Sequence, residues 1–153
     1  MFKNKRLSLI KEGVRPVIKV FCAKRGAGKT KRLVQLANEH LINAKGNSVY
    51  IDDDCRPMMQ LQRDVRFITT GEFNINDCDS FYGLLCGLIS QNYDVENIYV
   101  DGLSNITKCS ISDHHSLFKK IVELTEKFNL NMYININCED LNKIPDFIKE
   151  YVA

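Results

Sequence analysis

Five short apolar segments rich in β-branched residues alternate with stretches of helical hydrophobic period, and this alternation limits the possible folds more than any other feature of the chain. Residues 17–23, 48–52, 65–69, 97–101 and 131–137 read as strands. Over 29–45, Leu33, Val34, Leu36, Ala37, Leu41 and Ala44 form a helical stripe, with Gly46 as its stop. A second helix, capped by Asp77 or Asp79, runs to Ser90 along Phe81, Tyr82, Leu84, Leu85, Leu88 and Ile89. A third, capped by Ser112 or Asp113, runs to Phe128 along Leu117, Ile121, Val122 and Leu124. Residues 56–64 suggest a short helix, and Pro145 opens a last one as a first-turn proline. Short strands separated by helices need crossover connections, hence a mostly parallel sheet buried on both faces. The expected fold class is α/β, a three-layer α/β/α arrangement with a mostly parallel sheet of about five strands.

Composition narrows the class further. The 153 residues suit a single domain over 1–153, and 44% hydrophobic with 26% charged residues excludes disordered and fibrous chains. No apolar run approaches the ~18 residues a membrane span needs, and the N-terminus lacks the apolar core of a signal peptide, so a cytoplasmic protein is expected. The cysteines at 22, 55, 78, 86, 109 and 138 form no CxxC pair, which favours buried free thiols over zinc ligands or disulfides. The net charge of +2 conceals a division: residues 1–32 hold eleven Lys/Arg against the single acid Glu12, whereas the remainder is acidic. Residues 1–15 therefore form a candidate basic arm, whose Lys3, Lys5, Arg6, Lys11 and Arg15 face two readings, nucleic-acid contact or a solvated surface. His114 and His115 have no ligand partner at fixed spacing and read as exposed.

The first strand runs into Ala23-Lys24-Arg25-Gly26-Ala27-Gly28-Lys29-Thr30, followed by the amphipathic helix. Glycines there let successive backbone N–H groups turn inward around phosphate oxygens, and the helix aims its positive end at the same charge. Lys29 is placed to reach β- and γ-phosphates, and the Thr30 hydroxyl to ligate Mg²⁺. The strand Ile98-Tyr99-Val100 ends in Asp101, a carboxylate suited to the same metal. Val49-Tyr50-Ile51 ends in Asp52-Asp53-Asp54; alternation puts Asp52 and Asp54 on one face, and the three carboxylates face two readings, a solvated turn or a site in which repulsion raises the pKa of one and makes it a general base.

Ala23–Thr30, with Asp101 on a later strand, resembles the P-loop NTPase superfamily, with alanine where the motif's first glycine usually stands. The order of elements over 17–138 resembles that of the P-loop ATPases, in which two branches compete. Tyr50-Ile51-Asp52-Asp53-Asp54 is similar to the RecA-like pattern. That resemblance implies that Asp54 polarises the attacking water and that Asn135 or Asn137 senses the γ-phosphate. Lys24, the Asp52-x-Asp54 pair and Arg56 resemble the partition-ATPase (ParA/MinD) branch with its bacterial tyrosine kinases, but Arg25 and Asp101-Gly102-Leu103 depart from it. The resemblance implies an Mg-dependent ATPase coupling hydrolysis to a conformational or assembly change. ATP is the expected ligand, Lys29 and Asp54 the catalytic residues, 23–30 the nucleotide-binding loop, and Thr30 and Asp101 the metal ligands. Phosphotransfer to a small molecule or protein, and a non-catalytic nucleotide-binding module, are the alternatives. A strand lying between the P-loop strand and the Asp101 strand would indicate the RecA-like branch; direct adjacency would indicate the partition type.

Overall fold

A computed structural model describes residues 16–153; the basic arm expected over 1–15, with its nucleic-acid candidates, lies outside them. Strands β1 (Ile18–Ala23), β2 (Asn47–Asp52), β3 (Val65–Thr69), β4 (Val95–Asp101) and β5 (Asn131–Asn137) form one sheet in the order β1-β5-β4-β2-β3. The pairings are all parallel. Helices α1 (Lys29–His40), α2 (Cys78–Gln91), α3 (Leu103–Thr107), α4 (His115–Phe128) and α5 (Asp146–Lys149) occupy the connections, with single 3-10 turns at Arg56–Gln60, Thr70–Phe73, Ile111–His114 and Leu141–Lys143. The protein is thus an α/β fold with helices on both faces of a five-stranded parallel sheet. Outside β1, residues Tyr151–Ala153 add a short parallel segment: Val20 N–H donates to the Tyr151 carbonyl (2.8 Å) and Ala153 N–H to that of Val20 (3.0 Å).

Strand periodicity divides the side chains between two cores. Val20, Val49, Ile51, Ile98, Val100, Met132, Ile134 and Ile136 face α2 and α4, where they meet Phe81, Leu85, Ile89, Leu117, Phe118 and Ile121. Each fully buried aliphatic chain here contributes roughly 1.5–3 kcal/mol of transfer free energy. The opposite face is aromatic. Tyr133, Tyr99, Tyr50 and Phe67 lie in register on β5, β4, β2 and β3, and their rings stack with centroid separations of 5.1, 6.3 and 5.9 Å. Leu33, Val34 and Ala37 of α1 close over this row, and the Tyr99 hydroxyl lies 2.7 Å from His40 Nδ1 at the helix end.

Several local expectations are corrected. Helix α1 ends at His40, so Gly46 is not its stop. Gly46 serves a contact distant in sequence: a Cβ on it would lie 2.3 Å from the Asp94 carbonyl oxygen and 2.9 Å from Glu96 Cβ. The register of β2 on β4 shifts here, and Glu96 Oε2 accepts the N–H groups of Lys45 (2.8 Å) and Gly46 (2.6 Å). Asp77 caps α2 as expected, taking the Ser80 N–H at 2.7 Å, but neither Ser112 nor Asp113 caps α4, because a 3-10 turn through His114 precedes it. His114 is fully buried rather than exposed, with Nε2 2.6 Å from the Thr107 hydroxyl; burial holds its pKa below the ordinary value. The six cysteines are free thiols, five of them half-buried and Cys55 exposed.

Gly46→Ala should destabilise the protein by about 1–3 kcal/mol, since backbone must shift to admit the methyl group. Gly83→Ala, on the exposed side of α2 with nothing within 4 Å of its Cβ position, should be stabilising by about 0.5–1 kcal/mol. Denaturant midpoints of the two variants check this pair.

Candidate functional site

The carboxyl ends of β1, β2, β4 and β5 open on one cleft of about 630 Å³. Its basic wall is the turn joining β1 to α1. Gly26 and Gly28 take left-handed conformations (φ 83° and 81°) that a Cβ disfavours, and they reverse the chain into the first turn of α1. Gly28 offers no side-chain cap, so the first N–H groups of α1 stay open toward the cleft. Arg25, Gly26, Gly28, Lys29, Thr30 and Lys31 line this wall. Ala23 and Lys24 contribute carbonyls instead: Lys29 Nζ donates to them at 3.1 and 2.9 Å. Burial lowers the pKa of this ammonium while the Asp101 charge acts in the opposite sense. Ala27 closes the turn, its N–H donating to the Lys24 carbonyl at 3.2 Å.

The opposite wall is acidic, with Asp52, Asp53, Asp54 and Asp101 all lining the cleft. Asp52 and Asp101 end adjacent strands in direct register and are 5% and 6% exposed, so two carboxylates meet side by side at the cleft floor. Asp101 is held from both sides: the Tyr50 hydroxyl donates to Oδ2 (2.8 Å) and the Asn135 amide to Oδ1 (3.2 Å). Burial and the neighbouring Asp101 push the Tyr50 phenol far above its usual pKa, so it remains a donor. Burial first, then the Asp53 hydrogen bond and the Asp101 charge, raise Asp52 to about 8.

Asp52 and Asp54 do not share a strand face, contrary to the alternation pattern. Strand β2 ends at Asp52, and the Asp54 N–H folds back to Asp52 Oδ1 at 3.1 Å, taking Asp54 out of the pleat. Asp54 instead pairs with Arg56, accepting its backbone N–H at 2.9 Å and its guanidinium, and these bonds lower its pKa. The acid with the raised pKa is therefore Asp52. The two asparagines also separate: Asn137 lines the cleft, whereas Asn135 is buried against Asp101 with its Oδ1 unpartnered. Sequence reasoning missed Tyr50 as a donor and Lys31, Gln60 and Asn105 as lining residues. Tyr50 was detectable in principle, standing two residues before Asp52 and so on the same face.

A magnesium ion suits this donor set. Mg²⁺ commonly takes one or two carboxylates, keeps several waters and fills the remainder from phosphate oxygens. Asp101 and Thr30 both line the cleft and could offer oxygen ligands of that kind, and the described residues contain no group of three or more His, Cys, Asp or Glu built to hold a metal alone. No protein-family profile matches the chain, and no curated protein matches it in sequence.

Tyr50→Phe keeps the ring in its stack and removes one donor from a buried carboxylate. It should lower stability by about 1.5–3 kcal/mol with an unchanged denaturant m-value. Tyr50→Leu should cost more, because the ring contacts to Phe67 and Tyr99 go as well.

Proposed function

We propose that the cleft binds a nucleoside triphosphate with Mg²⁺, ATP being the expected ligand, and hydrolyses its terminal phosphate. One observation carries the reading: a lysine and an uncapped helix N-terminus face a pair of buried carboxylates across one cleft. A polyphosphate satisfies the first wall and its cation the second. Lys29 leaves the Ala23 and Lys24 carbonyls for the phosphate oxygens, exchanging neutral acceptors for charged ones. Thr30 and Asp101 hold the metal, which neutralises charge on the phosphates when bound. Tyr50 and Asn135 keep the Asp101 carboxylate oriented.

Asp52 takes the base role toward water in this reading, and Asp54 does not. Asp54 is occupied by Arg56, whereas Asp52 stands in register with Asp101 at the cleft floor with no cationic partner of its own among the described residues. Of the two asparagines of β5, Asn137 rather than the buried Asn135 is available to contact the terminal phosphate. The strand order favours the RecA-like branch over the partition type, because β5 lies between β1 and β4. Superfamily membership is part of the proposal.

Incubation with Mg-ATP and product analysis test it: free phosphate supports hydrolysis, a phosphorylated acceptor would indicate phosphotransfer, and neither would leave a binding module. Lys29→Ala should abolish Mg-ATP binding in calorimetry with the fold intact, and unchanged affinity would sink the nucleotide reading. Asp101→Asn should weaken the Mg²⁺-dependent part of binding. Asp52→Asn should keep affinity within a few-fold and slow hydrolysis by ~10²-fold or more.

A further inference from the structure

The geometry points to Arg56 as a ligand for the terminal phosphate, stowed on Asp54 until a triphosphate draws it across the cleft. This rests on the nucleotide reading and adds a residue that distinguishes triphosphate from diphosphate. Arg56 lines the same cleft as Lys29, but from the acidic wall, at the start of the 3-10 turn Arg56–Gln60. Its side chain is 87% exposed, and Asp54 is the one carboxylate its guanidinium touches among the described residues. An exposed pair between neighbours in one turn adds little stability, so it breaks readily. A phosphate gives the same planar fork two parallel charge-assisted bonds.

The backbone beneath this side chain is fixed, while the exposed guanidinium is held by Asp54 alone among the described residues. The Arg56 N–H is bound to Asp54 Oδ1 at 2.9 Å, and the buried Pro57 that follows restricts the Arg56 backbone. Asn38 of α1 anchors the far end of the turn, its amide donating to the Gln60 carbonyl (2.9 Å) and its Oδ1 accepting the Gln62 N–H (2.9 Å). The helix that begins at Lys29 thus also holds the turn that carries Arg56, so the two cations keep a constant spacing at the backbone. Movement of Arg56 from Asp54 toward the cleft draws on the rotamer freedom of its exposed side chain. Asp54, a third exposed at its side chain, rehydrates at small cost once released.

Calorimetry with Mg-ADP and with a non-hydrolysable Mg-triphosphate analogue tests the assignment on wild type, Arg56→Ala, Arg56→Lys and Asp54→Asn. Arg56→Ala should lose roughly tenfold or more in triphosphate affinity and leave Mg-ADP within about twofold. Arg56→Lys should recover part of the loss, since it restores a point charge without the fork. Asp54→Asn should hold or raise triphosphate affinity by freeing the arginine. Equal effects of Arg56→Ala on both nucleotides, or none on either, would overturn the assignment. So would an Asp54→Asn loss as large as that of Arg56→Ala, which would make the pair a structural brace. Wild type that binds neither nucleotide fails the nucleotide reading itself, and this assignment with it; where wild type binds both, the Arg56 variants alone decide the assignment.

Discussion

The direct register of Asp52 with Asp101 across β2 and β4 organises this molecule. Two parallel strands ending at the same level bring two carboxylates together in a site only 5–6% exposed, where like charges repel strongly. The surroundings answer that repulsion in three ways. Tyr50 and Asn135 donate to Asp101, and the Asp54 N–H donates to Asp52. Asp52 takes up a proton more readily than a free carboxyl. Lys29 stands opposite, and its charge and that of Asp101 stabilise each other. In the proposed reading, a bound cation would remove the remaining conflict.

The aromatic row extends that constraint into the core. Tyr50 is both a stacked ring between Tyr99 and Phe67 and the donor to Asp101, so the carboxylate's position is tied to the packing of four strands. At the other end, Tyr99 reaches His40, where α1 terminates. Helix α1 therefore forms the basic wall with its first turn and packs its last residue on the aromatic row whose Tyr50 orients Asp101. Burial lowers the pKa of His40, which keeps the junction neutral at physiological pH.

Alternation of strand and helix, the parallel sheet, the turn at 23–30 and the carboxylate at Asp101 were all legible in the sequence, because each has a local signature. What escaped was set by contacts distant in sequence. Gly46 reads as a helix stop because its spacing fits one, yet the glycine is required by the Asp94 carbonyl from another strand. His114 reads as exposed because no period marks it, and it is buried by the turn that precedes α4. Alternation pairs Asp52 with Asp54, but it ends where the Asp54 N–H turns back on Asp52. The order of strands has no local signature at all: nothing in β5 itself indicates that it lies between β1 and β4.

The bond from the Tyr50 hydroxyl to Asp101 also has an optical consequence. The chain has no tryptophan, so its six tyrosines dominate its ultraviolet emission. A phenol bound to a carboxylate emits weakly, because the excited state passes its proton to that acceptor. Any cation that engages Asp101 competes for the same oxygen lone pairs and alters the Tyr50 signal. Part of the protein's tyrosine emission thus depends on the state of Asp101 at the floor of the cleft.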